Sequence, residues 1–141
     1  MVQRANSDPD PCYCQNLRQA AQSITRIYDR ALATSGLSGG QYLLLSQIAY
    51  CEPISVSDLA KRVNLERTTV VRNLKPIEKQ GWIRDSAPMG GRRRQLRLTE
   101  LGQETLAMGN KLWQRVQAKM LAQIGQDDLQ ALERIMAKLR Q

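Results

Sequence analysis

Between Ser57 and Leu98 the apolar rhythm of the chain changes, from three- and four-residue spacing through two consecutive segments to two short extended runs on either side of Gly90-Gly91. A short helix, a turn, a longer helix and a glycine-tipped hairpin in that order leave few folds open. Ser57 is read as the cap of a helix running through Val63, Asn64-Leu65 as the turn, and Glu66 to Gln80 as the second helix, ended by Gly81. With Val70, Leu74 and Ile77 on the core side at about 100° per residue, the opposite face holds Thr68, Arg72, Lys75 and Lys79, flanked by Thr69 and Val71. Pro76 removes one helical hydrogen bond at a cost of about 3 kcal/mol, so a kink is expected there and not a break. Trp82-Ile83-Arg84 and Gln95 to Leu98 read as strands, and Met89 to Arg94 as the tip between them.

The same stretch holds the net charge. Lys61 to Arg97 contains eleven basic side chains and three acids (Glu66, Glu78, Asp85), so 11 − 3 = +8, which equals the formal charge of the whole chain; the remainder balances at ten of each. Charge confined to one segment makes a local positive field that can neutralise phosphates at a defined place. Arginine can fork to a guanine edge, threonine can touch a thymine methyl or a phosphate, and a helix of this width fits the major groove. The alternative of a solvated basic face weakens beside the short preceding helix and the basic hairpin. Gly90 and Gly91 allow a tight turn from which three consecutive arginines project, a shape suited to the minor groove. A phosphate-binding P-loop is excluded, because no Gly-Lys-Ser/Thr follows and the loop lies between strands.

Flanking segments extend the pattern. Leu17, Ala20, Ala21, Ile24, Ile27, Tyr28, Ala31 and Leu32 form one face of a helix that ends before Ser35-Gly36, and a second helix from about Ser38 to Tyr50 carries Tyr42, Leu45, Ile48 and Ala49. Ile54 to Val56 reads as a short extended piece. After the hairpin, Thr99 caps a long helix with Leu101, Met108, Leu112, Val116, Met120 and Ile124 along one side as far as Gly125, and a last helix spans about Asp127 to Leu139. The terminal helices carry more apolar face than the small centre can cover, so packing against a second copy is expected.

The 141 residues suit one domain. No apolar run approaches the roughly 20 residues of a membrane span, and residues 1 to 11 read as a polar lead-in, with Asp8 and Asp10 where a signal peptide would be apolar; a cytoplasmic protein is expected. Without a single histidine, Ser-His and Cys-His catalytic pairs and histidine-bearing zinc sites are excluded. Asp127-Asp128 is better explained as a helix start than as a catalytic pair. No catalytic residue, cofactor or dedicated metal site is expected.

From about Cys14 to Leu139 the chain resembles the MarR family of winged helix-turn-helix transcriptional regulators. The likeness is most specific from Glu66 to Ile83, which looks like the family's recognition-helix signature, and in Arg92 to Thr99, which resembles the end of its wing. The family's usual aspartate two residues before the wing arginine is replaced by Gly90, so Arg93 and Arg94 are expected to share the work of Arg92. The resemblance implies a mainly α fold with a small β-hairpin wing: a winged helix-turn-helix core over about residues 38–98, flanked by dimerisation helices over about 12–35 and 99–141. It implies a homodimer on a palindromic stretch of double-stranded DNA, usually a repressor, released by a small aromatic ligand in the cleft between dimerisation and DNA-binding regions or by cysteine oxidation. The expected DNA-binding set is Ser57, Arg67, Thr68, Thr69, Arg72, Asn73, Lys75, Arg92, Arg93 and Arg94. The competing function is a non-specific, architectural nucleic-acid binder.

Three cysteines are too few for a disulfide scaffold. Cys14 precedes Tyr28 by fourteen residues, a spacing similar to that of the reactive cysteine and its tyrosine in the family's peroxide-sensing branch, although Arg18 and Gly39 stand where further tyrosines are found there. A helix N-terminus favours a thiolate. For Cys12 and Cys14, incidental, oxidation-sensing and soft-metal roles all stay open, whereas Cys51 reads as a small buried hydrophobe.

Overall fold

The computed structural model describes residues 11–91 and 93–140. The lead-in expected over residues 1 to 11 therefore lies, but for Pro11, outside the described residues, as does Arg92. Helix α1 (Tyr13–Leu32) runs through a 3₁₀ turn (Ala33–Ser35) to α2 (Gly39–Cys51), α3 (Val56–Val63) and α4 (Arg67–Lys79); the hairpin β1 (Ile83–Asp85) and β2 (Leu96–Leu98) follows, then α5 (Glu100–Ile124) and α6 (Gln126–Leu139). The strands are antiparallel, with Ile83 opposite Leu98 and Asp85 opposite Leu96.

Local chemistry sets these boundaries. Ser38 and Gln41 form a reciprocal cap on α2, the Ser38 hydroxyl accepting from the Gln41 amide at 3.1 Å and the Gln41 side chain accepting from the Ser38 amide at 3.0 Å. Helix α3 is capped by Ser55, whose hydroxyl accepts from the Asp58 amide at 3.1 Å, and not by Ser57 as the sequence suggested. The reason is tertiary. Ile54 exchanges both backbone hydrogen bonds with Leu96 (3.2 and 2.8 Å), which holds it extended as a third arm of the hairpin and makes the next residue the first free to cap. Asn64 takes the left-handed conformation (φ 54°) that ends α3, an angle asparagine tolerates better than most residues. Helix α4 continues through Pro76 without breaking. The strands start one residue later than expected, at Ile83 and Leu96; Trp82 and Gln95 flank them and each accept one cross-hairpin bond, from the Thr99 amide at 3.0 Å and the Ser86 amide at 2.7 Å.

The core joins Leu44, Leu45 and Ile48 of α2, Leu59 of α3, Val70, Leu74 and Ile77 of α4, Trp82, and Leu96 and Leu98 of β2. Two expected stripes shift. On α2, Ala49 is exposed and Leu44 is buried. On α5, Leu101 and Met108 are half exposed, and the buried line is Gly102, Thr105, Leu106, Gly109, Val116 and Met120. Small residues face inward there because neighbours come close: a Cβ on Gly102 would lie 2.0 Å from the Trp82 backbone carbonyl oxygen, and one on Gly109 would lie 2.9 Å from the Leu37 side chain. The Thr99 hydroxyl caps α5 at Gly102 (3.0 Å) and donates to the Gly81 carbonyl, so the long helix is locked onto the base of the hairpin. Farther along, Tyr42 stacks on Trp113 with centroids 5.9 Å apart and donates to Asn110 at 2.8 Å. Cys51 is half-buried and not fully enclosed.

Candidate nucleic-acid interface

Helices α3 and α4 and the hairpin meet along one basic face. On α4, Val70, Leu74 and Ile77 are buried at 1% exposure or less, which turns Arg67, Thr68, Arg72, Asn73 and Lys75 outward to solvent; Thr69 sits half-buried at the edge. The helical angles inferred from the sequence thus hold along the whole element.

Beside the first turn of α4 lies a cleft of about 310 Å³ whose wall includes Ser57, Lys61, Arg67, Arg93 and Arg94, together with the acid Asp58. A second hollow, also lined by Ser57, Lys61 and Arg67, runs along the α3–α4 turn past Asn64 and Thr69. Ser57, expected as a cap, is released from that duty and presents an exposed hydroxyl in both clefts. Lys61 was not among the expected contacts. Its position one turn after Ser57 on the same helix was the available signal, since residues four apart share a face.

The arginines of the wing do not act alike. Arg93 is exposed on the cleft wall. Arg94 was expected to project with it, but its guanidinium pairs with Glu78 of α4 and approaches Asp85 Oδ2 at 3.6 Å. Asp85 Oδ1 accepts from the backbone amides of Gln95 at 3.0 Å and Ala87 at 2.9 Å. These amides, with Arg94 adding a smaller effect, hold the Asp85 carboxyl below the usual carboxylate range. Arg62 is similarly occupied, donating to Gln47 at 2.6 Å and lying 4.8 Å over the Tyr50 ring.

Away from this face, Cys12 and Cys14 are exposed at the start of α1. Tyr28 lies fourteen residues along the same helix, so about 21 Å separates it from Cys14 within one chain at 1.5 Å rise per residue. Its hydroxyl, pushed above the usual phenol range by burial, donates instead to Gln117 of α5. Among the described residues no three metal-ligating side chains converge, and no helix is long and apolar enough to cross a membrane.

Comparison with known proteins points the same way. The family model described as MarR family matches residues 37–94, from the end of the first loop to Arg94. The chain is 32% identical over 109 residues to the uncharacterized HTH-type transcriptional regulator YdgJ of Bacillus subtilis, covering 77% of this chain and 66% of that protein. It is 34% identical over 91 residues to a putative transcriptional regulatory protein for the hcr operon of Thauera aromatica, covering 64% of this chain and 51% of that one. The chain thus spans about two thirds and about half the length of these two relatives. Among solved structures it is similar to the M. tuberculosis transcriptional regulator MosR, at 35% identity with a TM-score of 0.76 over 92% of this chain and 93% of that one. A structure of MosR with DNA is matched at 33% identity and the same TM-score, over 93% of this chain and all of that chain.

Proposed function

Because the chain belongs to the MarR family, we propose that it is a sequence-specific DNA-binding transcriptional regulator, acting as a homodimeric repressor on a palindromic operator. The observation that carries this reading is the division of α4: Val70, Leu74 and Ile77 are buried while Arg67, Thr68, Arg72 and Lys75 face solvent beside an exposed wing arginine. In this reading α4 enters the major groove, with Arg72 forking to a base edge. Ser57, Lys61 and Arg67 hold phosphates along the α3–α4 turn, and Arg93 reaches the neighbouring groove. Asn73 and Thr69 stand at the margins of the reading face. The solved complex of MosR with DNA favours the same partner here.

Dimerisation is supported by what the single chain leaves bare. Ile24 of α1, Leu121 and Ile124 of α5 and Leu132, Ile135 and Leu139 of α6 are all exposed, between 37% and 65%. No residue of α6 is buried. An apolar surface of this extent on one end of a molecule is suited to a second copy.

Two release signals fit. A hollow of about 340 Å³ between α1 and α2, lined by Ile24, Thr25, Tyr28, Gly39, Gly40 and Leu43, has the apolar character a small aromatic ligand needs. The exposed Cys12 and Cys14 would act differently, by oxidation or by joint capture of a thiophilic ion, altering α1 and with it the spacing of the two recognition helices. Operator affinity measured before and after mild peroxide, for wild type and each Cys→Ser variant, separates these routes. A wild type unmoved by peroxide and by thiophilic metal leaves the ligand route.

Selection of duplexes from a random-sequence pool tests the function. The expected product is a motif of two inverted half-sites with centres about 10 base pairs apart. A pool that yields no enriched motif while still binding the protein would favour the architectural reading instead.

A further inference from the structure

We infer that Arg94 is a positioning residue: it braces the last turn of α4 against the base of the wing and makes no phosphate contact of its own. This rests on the DNA-binding reading above. The guanidinium joins three different elements, pairing with Glu78 in the last turn of α4 and approaching Asp85 at the end of β1 while itself lying on the returning arm of the hairpin. Asp85 completes the clamp by accepting from Ala87 on the outgoing side and Gln95 on the returning side. One carboxylate therefore gathers both arms of the wing, and one guanidinium ties that carboxylate to the recognition helix.

Charge supports the same division. Two of the three acids in the basic segment, Glu78 and Asp85, are directed at this one arginine, and the trio sums to −1. A guanidinium shared by two carboxylates must give them up to reach a phosphate, whereas Arg93, on the same cleft wall, pairs with no acid among the described residues. At the observed side-chain exposures of 34% to 44% each pair is weak on its own. Their joint effect is to select one orientation of the wing relative to α4, so that a helix in the major groove and an arginine in the adjacent groove are presented together and less ordering is left to binding.

The sign of a charge removal distinguishes a brace from a contact. Deleting an acid beside a polyanion normally strengthens binding; deleting half of the brace weakens it. The wild-type chain, Glu78→Gln, Arg94→Gln, the double variant and Arg93→Gln are titrated over a salt series against a duplex enriched from a random-sequence pool. Glu78→Gln and Arg94→Gln are each expected to lose about threefold in affinity, the double variant no more than either. Arg94→Gln should keep the wild-type salt slope, whereas Arg93→Gln should reduce it by about 0.9, the share of one phosphate contact. Because the substituted groups lie on the surface, melting temperatures should stay within about 3 °C of wild type. Glu78→Gln binding as tightly as wild type or tighter, or Arg94→Gln losing about 0.9 of slope, overturns the brace while leaving the regulator reading intact. A wild type that binds no duplex at all overturns the regulator reading, and the brace falls with it.

Discussion

A methyl group at position 102 has nowhere to go. The Cβ of Gly102→Ala would lie 2.0 Å from the Trp82 carbonyl oxygen, a backbone atom held in turn by the Thr99 amide at 3.0 Å, so α5 must lift from the hairpin to admit it. The variant is expected to lose about 3 kcal/mol of stability, read as a lowered melting temperature; an unchanged transition would mean that α5 does not dock there. On the DNA face the expectation concerns specificity. Arg72→Ala should cost about 1 to 3 kcal/mol and relax preference at one base position, and Arg93→Ala should weaken binding evenly across sequences. Competition against single-base variants of the enriched duplex measures both, and equal losses on every variant would refute the division. Some of these residue roles were legible in the sequence. Val70, Leu74 and Ile77 are large and apolar at helical spacing, so they fixed which side of α4 faces out. Gly102 and Gly109 were not legible, because a missing side chain gives no apolar signal, and the sixteen-residue separation of Glu78 from Arg94 exceeds any local rule.

Elements were easier to identify than their ends. The helix, turn, helix and hairpin order appears as the sequence implied, since serine caps, glycine breaks and apolar periodicity are all local. The cap of α3 was missed because its cause is distant: Leu96, on the far strand of the hairpin, holds Ile54 extended and so moves the helix start to Ser55. The two serines should therefore part company on mutation. Ser55→Ala is expected to destabilise the protein by about 1 kcal/mol through loss of the cap. Ser57→Ala should leave stability unchanged and weaken DNA binding, since its exposed hydroxyl lines both clefts beside α4. Thermal unfolding and duplex titration of the two variants check this, and a stability loss in Ser57→Ala with none in Ser55→Ala would restore the cap to Ser57. The apolar stripe of α5 misled for a related reason, as Leu101 and Met108 are large but lie away from the contact that its glycines make with the centre of the fold.

At the scale of the whole molecule, the basic face and the bare apolar end lie on different helices. Exposed basic charge is gathered on α3, α4 and the wing, and uncovered hydrophobic surface on α1, α5 and α6. Helix α5 links the two, docked on Trp82 by its first turn and exposed at Leu121 and Ile124 near its last. In the proposed dimer, a link of this kind would let an event at the apolar end shift the separation of the two α4 helices, because a helix of 25 residues moves its far end when its seat tilts. The most direct test of the account is the stoichiometry and specificity of the complex, measured together by light scattering and competition titration on the enriched duplex. Two chains per duplex, with the enriched site bound at least about 1,000-fold more tightly than a scrambled one at physiological salt, is the expected result. One chain per duplex, or equal affinity for the scrambled sequence, would contradict it.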